Sequence, residues 1–253
     1  MNRIDPTLTY KNCNYSSVVT MSDGYTFCER GYLNILRYEG EESENHKYIK
    51  KLFLPENTVD QFACFFMKHF LVFIKSPHEP QINHCLMYNI KTKQWTYMAD
   101  TNICRSFSAC AVFEGKIVVS GGCHRRSVEA YDYYEDKWTY LPDMIELRFN
   151  HGAVSMGNKM FVIGGHNSLT CEVFDNISRK FTYIKDMVLV IDMQCVFSIS
   201  AVRIGRKIIV FLINISSVKN HIHIFDTLND DWSTENNLND VTSVNSCSKV
   251  PFV

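Results

Sequence analysis

Between residues 105 and 141 short apolar runs alternate with pairs of turn residues, and the 3.6-residue spacing of an amphipathic helix is absent. The runs read RSFSACAVF, KIVVS closed by Gly121-Gly122, SVEAYDY and KWTYLP, with Glu114-Gly115 and Glu135-Asp136 as turns between them. The pattern predicts four β-strands joined as a meander. The next stretch repeats it as HGAVSM, KMFVIGG, TCEVFD and KFTYI. Further along, KIIVFLI is apolar throughout after its lysine, which predicts a strand covered on both faces.

The repetition has a measurable period. Trp95, Trp138 and Phe181 are 43 residues apart, and Trp232 follows after 51. The dipeptides Tyr88-Asn89, Tyr131-Asp132, Phe174-Asp175 and Phe225-Asp226 keep the same steps, and Gly121-Gly122 and Gly164-Gly165 are again 43 apart. Three independent markers share one period. Four short strands per unit of this length predict the blades of an all-β propeller, built as one domain over residues 1–253. Five units are legible, at about 15–59, 60–104, 105–147, 148–190 and 191–240. Paired glycines at a strand end permit positive φ and close backbone approach near the hub, and the Tyr and Trp are expected to fill the space between blades.

The Gly-Gly after the second strand, the Tyr-Asp of the third and the Trp about six residues later resemble kelch repeats. The likeness is close over residues 105–190. Elsewhere it is eroded: Ile74-Lys75, Glu29-Arg30 and Leu212-Ile213 stand in the glycine slots, and Tyr48 stands in the Trp slot of the first unit. Kelch propellers close their ring with strands from opposite chain ends. Residues 242–250 (TSVNSCSKV) stand after Trp232 as RSFSACAVF stands after Trp95, so 241–253 are read as a closing strand, with residues 2–8 as an outer strand. Two architectures stay open, a closed ring of five and a ring with a fragmentary sixth blade.

Composition narrows the function. With 26 basic and 27 acidic residues the formal charge is −1, which speaks against general nucleic-acid binding. The apolar stretch 62–74 carries Lys68 and His69, and 196–218 is cut by Arg203, Arg206 and Lys207, so neither reads as a membrane span. Ten cysteines without a C-x-x-C pair, behind an N-terminus MNRIDPTLTY that lacks an apolar signal core, fit a reducing cytoplasm with free thiols.

No catalytic constellation is legible, and no cofactor is expected. Ser22 to Phe27 (SDGYTF) reads as a β-turn rather than an Asp-box. His221 and His223 share a strand face at a spacing that can hold a metal, but no third ligand is identifiable, and a solvent-facing blade edge is the expected explanation. The acidic run 39–44 reads as an exposed hairpin. A binding surface fits better. Loops joining second to third strands, and each blade to the next, emerge on one propeller face and carry Arg105, Ser106, His124, Arg125, Arg126, Arg148, Asn150, His151, His166 and Asn167. Guanidinium groups on rigid strand ends suit carboxylate recognition. The kelch resemblance implies that Arg105 and Arg148, just before a first strand, grip an acidic peptide.

A texture rich in Ile, Asn, Lys and Tyr with decayed repeat marks resembles the kelch-like proteins of poxviruses. Those resemble adaptors in which BTB and BACK domains recruit a cullin-based ubiquitin ligase while the propeller selects substrate. Strand-rich repeats beginning near residue 15 leave no room for BTB or BACK here, so the expectation is a non-enzymatic propeller that binds a host protein in the cytoplasm. An actin-binding kelch protein, a propeller enzyme such as a glycosidase, and a relic without function are the alternatives. Oligomeric state is not legible.

Overall fold

A computed structural model describes residues 18–21, 24–29, 32–38, 46–53, 61–66, 70–75, 85–89, 91–105, 107–122, 124–188, 196–214 and 221–235. Twenty strands form five four-stranded sheets, and no helix occurs among these residues. The first sheet is β1 (Val18–Met21), β2 (Gly24–Glu29), β3 (Tyr32–Tyr38) and β4 (His46–Phe53). The second is β5 (Gln61–Phe66), β6 (Phe70–Lys75), β7 (Cys85–Asn89) and β8 (Gln94–Met98). The third is β9 (Ala109–Phe113), β10 (Lys116–Ser120), β11 (Val128–Asp132) and β12 (Lys137–Leu141). The fourth is β13 (Gly152–Met156), β14 (Lys159–Gly165), β15 (Ser168–Asp175) and β16 (Lys180–Ile184). The fifth is β17 (Val196–Ile204), β18 (Lys207–Asn214), β19 (His221–Asp226) and β20 (Asp231–Glu235). Each is an antiparallel meander, and the first strands β1, β5, β9, β13 and β17 neighbour one another in chain order, as inner strands of successive blades do. The expected closing segments, residues 2–8 and 241–253, and the acidic run 39–44 lie outside the described residues.

Both faces of a blade are buried against its neighbours. Ile117 and Val119 of β10 pack with Cys85, Met87 and Met98 of the second blade, whereas Val118 between them packs with Met160, Val162 and Phe174 of the fourth. Phe161 and Ile163 of β14 likewise meet Ile208, Val210 and Phe225 of the fifth. Continuous apolar strands are the expected consequence of two-sided burial. The repeat aromatics sit within each seam as tilted pairs: Tyr88 with Trp95 at 4.9 Å, Tyr131 with Trp138 at 5.2 Å, Phe174 with Phe181 at 5.1 Å and Phe225 with Trp232 at 4.8 Å. The indoles also reach backward: Trp138 Nε1 donates to Ala99 O at 2.7 Å and Trp232 Nε1 to Lys185 O at 2.8 Å. Each bond ties a blade to the exit of the one before it.

The residue after each Tyr or Phe has a separate task. Oδ1 of Asn89, Asp132 and Asp175 accepts two backbone N–H groups in the turn that follows, and Asp226 accepts one from Leu228. Four residues on, Lys93, Asp136, Arg179 and Asp230 all take positive φ, between 47° and 61°. The short polar side chain thus closes the same turn four times. At Gly121, φ is +63° and a Cβ would collide with the Arg148 carbonyl and come within 2.8 Å of His151 Cε1, so glycine is required where two blades meet.

The first strand of the third unit is shorter than its sequence suggests, beginning at Ala109 rather than Arg105. Phe107 takes φ 59° and its carbonyl accepts Asn150 N at 2.8 Å, which breaks the extended run. Asn150, one period later, takes φ 55° and its carbonyl accepts Ile199 N.

Candidate functional site

The candidate face is built from the β10–β11 turn (121–127), the β12–β13 segment (142–151) and the β14–β15 turn. Backbone bonds weld the first two together: Gly122 N donates to Arg148 O at 2.8 Å, Arg148 N to Arg125 O at 3.2 Å and Met144 N to Arg126 O at 2.9 Å. His124 and Asn167 occupy turn positions with φ 57° and are exposed, as are Arg126 and His166. Arg125 is half-buried with its Nε on Cys104 O at 3.0 Å, and Arg126 faces Asp143 at 3.2 Å. The His166 ring stacks on Phe149 at 4.7 Å, and the His166 backbone N–H donates to Phe149 O. These residues form one rigid basic and aromatic rim.

Arg105 and Arg148 do not belong to that rim, which corrects the expectation that they grip an acidic peptide. Both are 1 % exposed and pair with fully buried glutamates. Arg105 Nε and Nη2 donate to Glu129 Oε1 at 3.1 and 2.8 Å, while Nη1 donates to Gly121 O and Ser127 O. Arg148 repeats the arrangement with Glu172 at 2.9 and 2.8 Å and with Gly164 O and Thr170 O. The glutamates are otherwise satisfied. Glu129 Oε2 accepts Asn102 N and Nδ2, and Glu172 accepts Ile145 N and Glu146 N. Each arginine therefore clamps the entry to its blade onto the Gly-Gly end of the second strand and the start of the third. A guanidinium that supplies all these bonds to its own blade has none left for a partner.

His151 is likewise buried, at 4 % exposure, with Nε2 2.8 Å from Ser120 Oγ and Nδ1 without a hydrogen-bond partner among the described residues. Burial, reinforced by the Arg148 and Arg105 charges, pushes its pKa down from 6.5 to about 3. The unfolded chain takes up a proton near pH 6.5 that the folded one refuses. The contribution is thus whole above that pH and declines by about 1.4 kcal/mol per pH unit below it, until about pH 3. We expect His151→Gln to lose this part of the acid slope when urea unfolding is followed downward from about pH 7.5. Equal slopes in the two proteins would mean that the folded imidazole does protonate.

Of the remaining sequence candidates, Asn150 is half-buried in the inter-blade bonding described above, and Ser106 lies outside the described residues. His223 is 2 % exposed on the third strand of its blade, which corrects its reading as part of a solvent-facing edge. Glu129, Glu172 and the rim aromatic Phe149 were not singled out from the sequence. Their signal was present, because each arginine precedes its glutamate by 24 residues, and each glutamate stands two before the marked aromatic.

Comparison with known proteins locates the two regular units. Residues 104–145 and 147–187 match the Kelch motif. No curated protein matches the chain in sequence. Among solved structures, "Structure of YjhT" superposes with a TM-score of 0.69 at 14% identity, over 88% of this chain and 84% of that one. Two adjacent units thus match the Kelch motif, and the four-stranded blades whose inner strands follow one another in chain order give the described residues the fold of a β-propeller.

Proposed function

We propose that the propeller is a non-enzymatic protein-binding module whose site is the basic rim of the third and fourth blades. The observation that carries this reading is the rigid display of His124, Arg125 and Arg126 on a turn fixed by inter-segment backbone bonds. Preorganised cations lose little entropy on binding and complement a carboxylate-bearing segment. Arginine engages Glu129 and Glu172, so neither of these two carboxylates is available as an acid or base for glycoside chemistry. The finer proposal is a poxvirus-type kelch-like propeller in the host cytoplasm that occupies a host protein otherwise selected by cullin-linked adaptors.

The test is capture of host cytosolic protein by the wild-type chain and by an Arg125→Glu/Arg126→Glu variant. The expected result is loss of the retained partner while the variant stays folded, with about 1–2 kcal/mol of stability lost through the Arg125 bond to the Cys104 carbonyl and the Arg126–Asp143 pair. A partner that both proteins retain equally places binding on another surface.

A further inference from the structure

Two aliphatic side chains on the β12–β13 segment are displayed where the fold has no use for them. Leu147 is 60% exposed and Ile145 is 38% exposed. One period earlier the same positions hold Cys104 and Asn102, so the repeat does not require large apolar groups there. Their backbone is nevertheless held firmly. Ile145 N and Glu146 N donate to the Glu172 carboxylate at 2.6 and 3.1 Å, and the Met144 and Arg148 amides donate to the carbonyls of Arg126 and Arg125. Those last two bonds set the aliphatic pair beside the turn that carries His124, Arg125 and Arg126.

Charge at this junction is complementary to carboxylates. Arg126 is matched by Asp143, and Glu146 is engaged by Arg148 at 3.4 Å, Thr170 at 2.6 Å and Tyr183 at 3.1 Å. Arg125 has no carboxylate at ion-pair distance among the described residues; its Nε holds only the Cys104 carbonyl. A fixed apolar pair next to an unmatched cation selects for both properties in one ligand. We propose that this junction binds an extended peptide segment in which carboxylates alternate with large apolar side chains, a carboxylate meeting Arg125 and the apolar groups covering Ile145 and Leu147. The proposal rests on the rim being a protein-binding site and names its ligand class.

The test is fluorescence anisotropy with two labelled pools of short peptides. Both pools carry Asp or Glu at alternate positions; one has Leu, Ile, Val or Phe between them and the other has Ser. The wild type is expected to bind the apolar pool about tenfold more tightly. An Ile145→Ser/Leu147→Ser variant, whose fold is checked by circular dichroism and thermal midpoint, should bind the two pools equally. Arg125→Glu/Arg126→Glu should weaken both. Equal wild-type binding of the two pools overturns the apolar half of the site while leaving acidic-segment recognition standing. Binding of neither pool overturns that recognition and this inference together.

Discussion

Replacing Arg148 with methionine is expected to cost about 3–5 kcal/mol of folding free energy, the usual result of leaving one partner of a buried ion pair behind. Glu172 would be left without its ion-pair partner and with no exposed surface, and the carbonyls of Gly164 and Thr170 would lose their donor. Adding Glu172→Met should restore only part of the loss. The carboxylate also holds the Ile145 and Glu146 amides, and an apolar side chain cannot. Urea unfolding of both variants and the wild type measures these differences. A single-variant loss below about 1 kcal/mol would mean that water reaches the pair and that Arg148 is available to a partner after all.

Trp138→Ala should be comparably damaging, at about 3–5 kcal/mol, the range for a buried aromatic truncated to alanine. The indole is 4% exposed and shares a cluster with Cys85, Met87 and Met98 of the preceding blade and Ile117, Val119 and Tyr131 of its own. Its removal empties the seam and orphans the Ala99 carbonyl at once. Trp138→Phe separates the two effects. It retains most of the packing and loses only the N–H donor, an expected cost of about 0.5–1.5 kcal/mol in the same unfolding measurement. The fourth blade already has phenylalanine, Phe181, at this position.

The sequence and the structure agree most closely where packing alone decides the outcome. KIVVS and KMFVIGG become β10 and β14 without a residue's difference, because side chains buried on both faces leave a strand little freedom of register. Agreement ends where direction matters more than position. A basic residue before a strand has the same one-letter appearance whether it points to solvent or folds under its own blade, so Arg105 and Arg148 read as surface charges. The deciding information lay 24 residues downstream in Glu129 and Glu172, and a link of that length is visible only when the repeats are superposed and the pair recurs. His223 was misread for a related reason, since alternation places it on a face without revealing whether a neighbour covers that face. The exposed Ile145 and Leu147 carried a similar difficulty. The sequence does not show which side chains of a connecting segment a neighbour covers, and here the Ile145 and Glu146 amides are tied to Glu172 while the Ile145 and Leu147 side chains stay exposed.

The backward-reaching indoles give the assembly a built-in means of being observed. Trp138 spans the seam between the second and third blades, and Trp232 spans that between the fourth and fifth. Their side-chain N–H protons resonate apart from the amide envelope, and each is hydrogen-bonded to the preceding blade only while its own seam is shut. Two signals in one spectrum therefore time the opening of two separate joints. Seams that open together and seams that open one after the other would be told apart without any introduced label.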